Sequence, residues 1–369
     1  MVLKNISLIN FRNYDSLNIE LGEGINIIYG DNAQGKTNLL ESIYVLALTK
    51  SHRSFIDNNL IKQGESNSKI KGKIAIDNIN TNLEMIISNK NKNLKIDNND
   101  IKKISEYVSK MNIIIFYPED LELIKGSPAE RRRYLNIELS QIHSNYLDII
   151  GDYNKLLKIR NETLKNIISG QINDNSYLEI ITKKLIEKAI LVYRIRNKFV
   201  EKINEQCRKI YKDISGYDGF HVQYLTQIKT KEFTEESIKK ELEEKLNNSY
   251  KSELKVGITL NGPHRDDLEF YLDNLNLKMF GSQGQQRIAI LALKLSEIEI
   301  FNVYKKTSPI LLLDDVFSEL DDTKKNNLLS YIDGKIQTII TSTDLKDIHK
   351  EIIKKAKVFE IKEGKLINK

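Results

Sequence analysis

The sequence predicts an α/β fold: a mixed sheet carrying a glycine-rich loop, split by an α-helical insertion that folds as an antiparallel coiled-coil hairpin. Three observations carry this. Ile25, Ile27 and Ile28 form a short apolar run ending at a glycine-rich stretch that opens a helix. A second apolar run, Ile310 to Leu313, ends in two aspartates, the first of them 278 residues beyond Lys36. Between them, two long segments place apolar residues at heptad spacing.

Composition narrows the class. With 369 residues the chain exceeds one ordinary domain, since domains run on the order of 100–200 residues. Hydrophobic residues at 40% and charged residues at 29% are enough to build a core. Cys207 stands alone, which excludes an intrachain disulfide or a cysteine zinc cluster and fits a reducing cytoplasm. The N-terminal Met-Val-Leu-Lys-Asn-Ile-Ser lacks the apolar stretch of a signal peptide. No apolar run approaches the roughly 18–20 residues of a membrane span, so no membrane partner is expected. The net charge of +6 permits nucleic acid as a partner without demanding it.

In chain order, Leu3, Ile6, Leu8 and Phe11 read as strand, followed by the Ile25 run. From Thr37 to Leu48, Leu39, Leu40, Ile43, Leu46 and Ala47 recur at helical spacing. Residues 70–97 alternate between asparagine-rich turns, an antiparallel β segment. Ile113 to Phe116 reads as another strand. Ser127-Pro128-Ala129-Glu130 is a capping box with proline at the first helical position, opening the insertion. Its first seam is Leu135, Leu139, Ile142, Tyr146, Ile149, Tyr153 and Leu156, fading toward Ile167 and ending at Ser169-Gly170. The second is Leu178, Ile181, Leu185, Ala189, Val192, Ile195, Phe199, Ile203 and Ile210. Each arm is expected to be roughly 50–60 Å long at 1.5 Å per residue. A strand over 222–228 and a charged helix over 235–251 follow. Beyond Val256 the pattern predicts a hairpin at Asp273-Asn274, helices over 283–304, 320–332 and 344–354, strands over 310–314 and 337–341, and a strand pair turning at Glu363-Gly364. The expected division is 1–126, 127–255 and 256–369.

Gly30-Asp31-Asn32-Ala33-Gln34-Gly35-Lys36-Thr37 matches G-x-x-x-x-G-K-[ST], with a strand before it and a helix after it. Such a loop wraps backbone N–H groups around a phosphate at a helix N-terminus. Lys36 is expected to reach the β/γ phosphates of a nucleotide and Thr37 its Mg²⁺. A carboxylate at the end of a buried parallel strand beside that loop suits Mg²⁺ as well, which assigns Asp314. Asp315 is then the candidate that orients an attacking water. Ser282-Gln283-Gly284-Gln285, at the start of a long helix, forms a second candidate anion site. Ser318-Glu319-Leu320-Asp321 follows the paired aspartates.

These four elements in this order resemble the ABC-type ATPases. That resemblance implies ATP as cofactor and a homodimer with two ATP molecules sandwiched between protomers. Ser282, Gln283, Gly284 and Gln285 would contact the nucleotide of the other copy. Within that class the chain resembles the RecF family of bacterial recombinational-repair ATPases, of the SMC/RecF class. The residues that carry it are Phe11-Arg12-Asn13-Tyr14, Gly30 to Thr37, Lys50-Ser51-His52-Arg53, Pro118-Glu119-Asp120-Leu121 through Lys125-Gly126, Arg131-Arg132-Arg133, Gly262 to Asp267, and Ser282 to Gln286. The resemblance implies an ABC-type ATPase head, its sheet and P-loop split by the coiled-coil insertion. It adds Arg12 and Asn13 to the ATP contacts. It implies a weak, DNA-stimulated ATPase used as a switch in gap repair, replication and the SOS response, with RecR as partner and RecO and RecA reached through it. Binding at junctions of single- and double-stranded DNA is part of the same implication, and another chromosome-maintenance or transport complex is the alternative. Two departures stand out. Asp315 replaces the glutamate of many ABC ATPases, so hydrolysis is expected to be slow. The switch histidine is missing, because Ile339-Ile340-Thr341-Ser342-Thr343-Asp344 ends in hydroxyls and His349 lies too far along. Gln63 is the candidate for the Q-loop.

Arg131, Arg132 and Arg133 fall in a first helical turn, where cations oppose the dipole at about 0.3–1 kcal/mol each. Such a run points to an anionic partner, either DNA phosphate or acidic side chains of the ATPase head, with a solvated charged face as the plain alternative. Arg53, with Lys50 and His52, is a second candidate. No base-reading motif accompanies them, so salt-sensitive, sequence-independent binding to the DNA backbone is expected. His264-Arg265-Asp266-Asp267 reads either as an ion-pair cluster at a turn or as a nucleotide or dimer contact.

Overall fold

The computed structural model describes residues 1–367 except 90, 172, 173, 231, 320, 333 and 349. They form two compact units. One comprises Met1–Asp120, Lys209–Tyr217 and Arg287–Lys369; the other comprises Leu121–Arg208 and Asp218–Gln286. Leu320 and His349, both singled out above, lie outside the described residues.

The first unit holds two sheets. In the antiparallel sheet the order is Tyr14–Glu20, Val2–Phe11, Asn67–Ile76, Ile79–Ser88, Lys92–Ile96 and Asn99–Asp100. Alternation sorts its faces: Ile70, Ile74, Leu83, Met85 and Ile87 are buried, while Lys69 and Lys71 bridge Glu84 on the other face at 3.1 and 2.8 Å. In the second sheet the order is Lys365–Leu366, Lys357–Lys362, Ile25–Tyr29, Thr338–Ser342, Ile310–Asp314 and Ile113–Phe116. Among the described residues its strands pair in parallel except Lys357–Lys362 with Lys365–Leu366, which is antiparallel. Ile310–Asp314 is buried along its whole length, as its continuous apolar text requires. The helix Lys36–Leu48 packs against both sheets, and 11 of its residues are buried. Gln337 ties the sheets together: its Oε1 accepts from Leu3 N–H at 2.7 Å, and its Nε2 donates to the carbonyls of Leu3 and Gly22 at 2.8 and 2.7 Å. The helix expected over 344–354 is a 3₁₀ turn, Leu345–Asp347, and a short helix, Lys350–Lys355. The Asp344 carboxylate caps that turn by accepting from Lys346 N–H at 3.0 Å.

The second unit corrects the first arm. Instead of one helix there are two, Pro128–Ile142 and Tyr146–Ile168, because His143 is extended (φ −109°, ψ 112°). His143, Ser144 and Asn145 are weak helix formers, and Tyr146 N–H closes a turn onto the His143 carbonyl at 3.0 Å. Beyond the break the buried line runs through Tyr146, Ile150, Tyr153 and Leu164, with Ile149 and Leu156 only half-buried. The 23 residues of Tyr146–Ile168 span about 35 Å, short of expectation, whereas the 40 residues of Ser176–Ser215 reach about 60 Å. Lys188 on Asp152 at 2.9 Å and Arg160 on Thr182 at 3.0 Å mark the antiparallel pairing. Ser127 precedes the first helix as expected, but its side chain makes no cap bond. Pro128 at the first position and the bond from Glu130 N–H to the Ser127 carbonyl (3.1 Å) set the start. Residues 256–286, drawn above with the C-terminal segment, cluster with the helical unit because Asp267–Leu272 pairs along Phe220–Leu225.

Cys207 is buried on Ser176–Ser215, and burial pushes its thiol up to about 12. The thiolate is the reactive form. Native protein at pH 8 is therefore expected to resist a colorimetric disulfide reagent and to titrate one thiol in denaturant. Fast labelling of the native state would contradict this burial.

Candidate functional site

The strand Ile25–Tyr29 delivers the chain to Gly30, at φ 152°, and the loop closes through Gly35 at φ 114°, a conformation that favours glycine. A Cβ at Gly35 would lie 2.6 Å from the Asn13 amide nitrogen and 2.9 Å from the Tyr14 hydroxyl. Both side chains brace the loop from outside. Tyr14 donates to the Gly35 carbonyl at 2.9 Å, and Asn13 Nδ2 to the Gln34 carbonyl at 3.2 Å. Gly364 N–H also donates to the Gln34 carbonyl, at 3.0 Å. Lys36 Nζ donates to the carbonyls of Gly30 and Asp31 at 2.7 and 2.8 Å, folding its ammonium back across the loop. Burial lowers the Lys36 pKa, with the charges of Asp315, Asp314 and Asp31 opposing.

Asp314 stands in register with Thr341 on the neighbouring strand. Its Oδ1 accepts from Thr37 Oγ1 at 3.0 Å and from Thr341 Oγ1 at 2.7 Å. Burial raises the Asp314 pKa, partly offset by these two hydroxyls and by the charge of Arg53. Asp315 has φ 52°, and its N–H donates to Thr341 Oγ1 at 3.0 Å. Thr37 and Asp314 thus present hard oxygen donors side by side, a set that suits Mg²⁺ sharing its shell with nucleotide phosphates and water. Among the described residues no cluster of three or more His, Cys, Asp or Glu side chains could hold a metal alone. The Gly30–Thr37 loop, including Asp31, Asn32, Ala33 and Gln34, runs into the N-terminus of the helix Lys36–Leu48, a setting that suits a polyphosphate.

Arg12 and Arg53 meet on Glu41, a buried residue of the Lys36–Leu48 helix that the motif reading missed. Arg12 Nε and Nη2 grip the Glu41 carboxylate at 2.9 and 2.7 Å. Ser51 Oγ donates to it at 2.5 Å and accepts the N–H groups of Arg53 and Ser54 at 2.9 Å each. Burial pushes the Glu41 carboxyl up, but the bonds from Arg12 and Ser51 outweigh it and hold the group below its ordinary value. Arg53 Nη1 donates to Asn38 Oδ1 at 3.2 Å, and Asn38 Nδ2 to Asn13 Oδ1 at 2.9 Å. The signal was present in Leu39-Leu40-Glu41-Ser42-Ile43, where a carboxylate inside a buried run demands partners.

Ser282, Gln283, Gly284 and Gln285 belong to the helical unit and start the helix Gln283–Lys305. Ser282 N–H donates to Gln285 Oε1 at 2.9 Å and Gln285 N–H to Ser282 Oγ at 3.2 Å, a reciprocal capping box. Ser282, Gln283 and Gly284 are exposed.

Arg131 and Arg133 of the arginine run each lie against a carboxylate of the same chain. Arg131 is 5% exposed; its Nε and Nη2 bind Asp267 at 2.5 and 2.9 Å, and its Nη1 the carbonyls of Leu123 and Gly126. Arg131 is thereby corrected from a DNA candidate to an internal ion pair, because an acidic side chain already satisfies it. Arg132 donates to the Asp266 carbonyl at 2.8 Å, and Arg133 lies 4.0 Å from Glu130, half-buried. Asp266 pairs with Arg196 at 3.1 Å and accepts from Tyr224, so Asp266 and Asp267 both take part in ion pairs at this turn, while His264 and Arg265 bond the Thr259 carbonyl. His52 is buried between the rings of Tyr44 and Tyr117, whereas Arg53 is half-exposed. Gln63 sits exposed in the turn before Asn67–Ile76.

Comparison with known proteins agrees with this geometry. The RecF/RecN/SMC N terminal domain family matches residues 2–365. DNA replication and repair protein RecF of Bacillus cytotoxicus is 43% identical over 366 residues, covering 99% of this chain and 98% of the relative. The RecF protein of Bacillus mycoides is 42% identical over the same shares. A solved structure of the recombination mediator protein RecF-ATP in the RecFOR pathway aligns at TM-score 0.91 and 36% identity, covering 99% of this chain and 96% of that one. The RecF-ATPrS form aligns at 0.90 and 36%, covering 99% and 97%. An Smc head bound to the C-winged helix domain of ScpA shares the fold at TM-score 0.56 and 14% identity, covering 100% and 97%. The chain belongs to the RecF family, within the RecF/RecN/SMC N-terminal domain class.

Proposed function

We propose that this protein is an ATP-dependent DNA-binding protein acting as a homodimeric clamp in recombinational repair of replication gaps. The observation that carries the ATP reading is the Thr37–Asp314–Thr341 contact beside the Gly30–Thr37 loop, all within one compact unit. Membership of the RecF family supports the repair role. In this reading Lys36 exchanges its loop carbonyls for β/γ phosphate oxygens, and Thr37 and Asp314 hold Mg²⁺. Mg²⁺ would neutralise phosphate charge as it develops. Asp315 orients water, while Arg12 and Asn13 line the nucleotide's edge. Ser282, Gln283, Gly284 and Gln285 of a second copy offer the exposed helix N-terminus to the γ-phosphate. Hydrolysis then reopens the dimer, making a weak ATPase into a timer. Arg53, Arg132 and Arg133 are the arginines left to consider for DNA phosphate. RecR is the expected direct partner, with RecO and RecA acting through it, in replication maintenance and the SOS response. A cytoplasmic location goes with this reading; among the described residues no helix is long and apolar enough to cross a membrane.

Sedimentation of wild type and Lys36→Met, with and without ATP–Mg²⁺ and gapped DNA, tests this. Removing the ammonium from the phosphate site is expected to weaken ATP binding by about 10- to 100-fold, a charge-assisted hydrogen bond's worth. Wild type should dimerise with ATP and bind DNA more tightly, and the variant should do neither. A monomer throughout, or DNA binding indifferent to ATP, would sink the clamp.

A further inference from the structure

We propose that Thr341 is a positioning residue for hydrolysis, one buried hydroxyl that sets both the Asp314 carboxylate and the backbone of Asp315. The inference rests on the ATPase reading above. Thr341 lies on the strand Thr338–Ser342, between the strand that leads into the phosphate loop and the strand that ends at Asp314. Its register partners are Ile28 on one side and Asp314 on the other. It is 1% exposed and follows Ile339 and Ile340, which are fully buried.

A threonine hydroxyl has one proton to donate and lone pairs to accept with. Here both capacities are committed and their directions are unambiguous. The proton goes to Asp314 Oδ1 at 2.7 Å, and a lone pair takes the N–H of Asp315 at 3.0 Å. Thr37 donates to the same Oδ1 at 3.0 Å, so two hydroxyls, one from the helix after the phosphate loop and one from the neighbouring strand, fix the rotation of that carboxylate. Asp315 has φ 52°, a left-handed conformation that a residue with a side chain rarely adopts. The bond to Thr341 holds that backbone turn and so aims the Asp315 side chain. In a strand, valine would fill the same volume with equal propensity. Packing alone therefore does not call for the hydroxyl.

The test compares Thr341→Val, which keeps the shape, with Thr341→Ser, which keeps the hydroxyl. Four quantities are read: kcat and KM for ATP, the Mg²⁺ dependence of binding of a fluorescent ATP analogue, and the melting temperature without nucleotide. Thr341→Val should lower kcat about tenfold or more, since one hydrogen bond to a charged group is lost from the reacting site. KM should stay within about threefold, and more Mg²⁺ should be needed for tight analogue binding. Thr341→Ser should restore both to near wild type at an unchanged melting temperature. If Thr341→Val fails to fold, Thr341→Ala takes its place in the same comparison. Unchanged kcat and Mg²⁺ dependence in the hydroxyl-free variant, or serine failing alongside valine, would overturn the role. Absence of Mg²⁺-dependent hydrolysis in the wild type would instead sink the ATPase reading beneath it.

Discussion

Arg160→Met is expected to destabilise the helical unit by about 3–5 kcal/mol, measured as a fall in the denaturant midpoint of that unit. Arg160 is 2% exposed and its partner Glu253 is fully buried, 2.6 Å apart. Arg160 Nη1 donates to Thr259 Oγ1 at 2.7 Å, and Nε to Thr182 Oγ1 at 3.0 Å. The second Glu253 oxygen accepts Leu260 N–H at 2.8 Å. One guanidinium therefore joins the helices Tyr146–Ile168 and Ser176–Ser215 to the helix Glu235–Val256 and the turn after it. Removing it leaves a carboxylate in a closed interior, and that uncompensated charge is the source of the cost. Removing both charges, with Arg160→Met and Glu253→Met together, should recover most of the loss, because a buried pair replaced by apolar side chains is often neutral. A single-variant cost below about 1 kcal/mol would mean the pair is solvated and the unit packs differently.

Arg160 also shows where periodicity stops being informative. The seam through Tyr153 and Leu156 reaches 160 at the next step, and an arginine there reads as the seam fading. In the folded chain it is the seam's polar centre, matched by Glu253, 93 residues away. The break at residues 143–145 was hidden for the opposite reason. Leu139, Ile142 and Tyr146 keep a helical step across the turn, so the text stays periodic while the backbone does not. The tight bond from Tyr146 to Asn136 (2.8 Å) keeps the two pieces in line.

The nucleotide loop was legible because all its parts are contiguous from Gly30 to Thr37. Asp314 was legible because a strand buried on both faces writes an unbroken apolar run. Thr341 was not, and Glu41 showed only as a carboxylate inside a buried run, with its partners unwritten. Their importance lies in partners at Arg12 and Ser51, and at Asp314 and Asp315, and pairings between strands and loops leave no local pattern. The sequence left the partner of the arginine run open, and Arg131 meets the Asp267 carboxylate. Which anion it met depended on the strand Asp267–Leu272, and the pairing of that strand with Phe220–Leu225 is likewise non-local.

Gly30→Ala is expected to cost more than about 3 kcal/mol in stability or, if the chain relieves it by moving the loop, about 100-fold or more in ATP affinity. A Cβ at Gly30 would sit 2.2 Å from the main-chain oxygen of Ile361. That oxygen cannot rotate away as a side chain would, because Ile361 lies in the strand Lys357–Lys362, paired alongside Ile25–Tyr29. The φ of 152° adds strain independent of the clash. Relief has two routes. Either the strand pair opens, which lowers stability, or the loop lifts, which displaces the Gly30 carbonyl from Lys36 and spoils the amide cradle. Measuring melting temperature and nucleotide affinity together separates the two. Gly24→Ala is the matched control, since a Cβ there meets nothing within 4 Å and should change stability by no more than about 0.5 kcal/mol. If Gly30→Ala binds ATP within about threefold of wild type and melts normally, the loop does not sit against that strand. The first glycine of the motif would then serve only the turn. If one of the two losses appears, the same glycine is doing a second job, letting the last parallel strand pack against the phosphate loop.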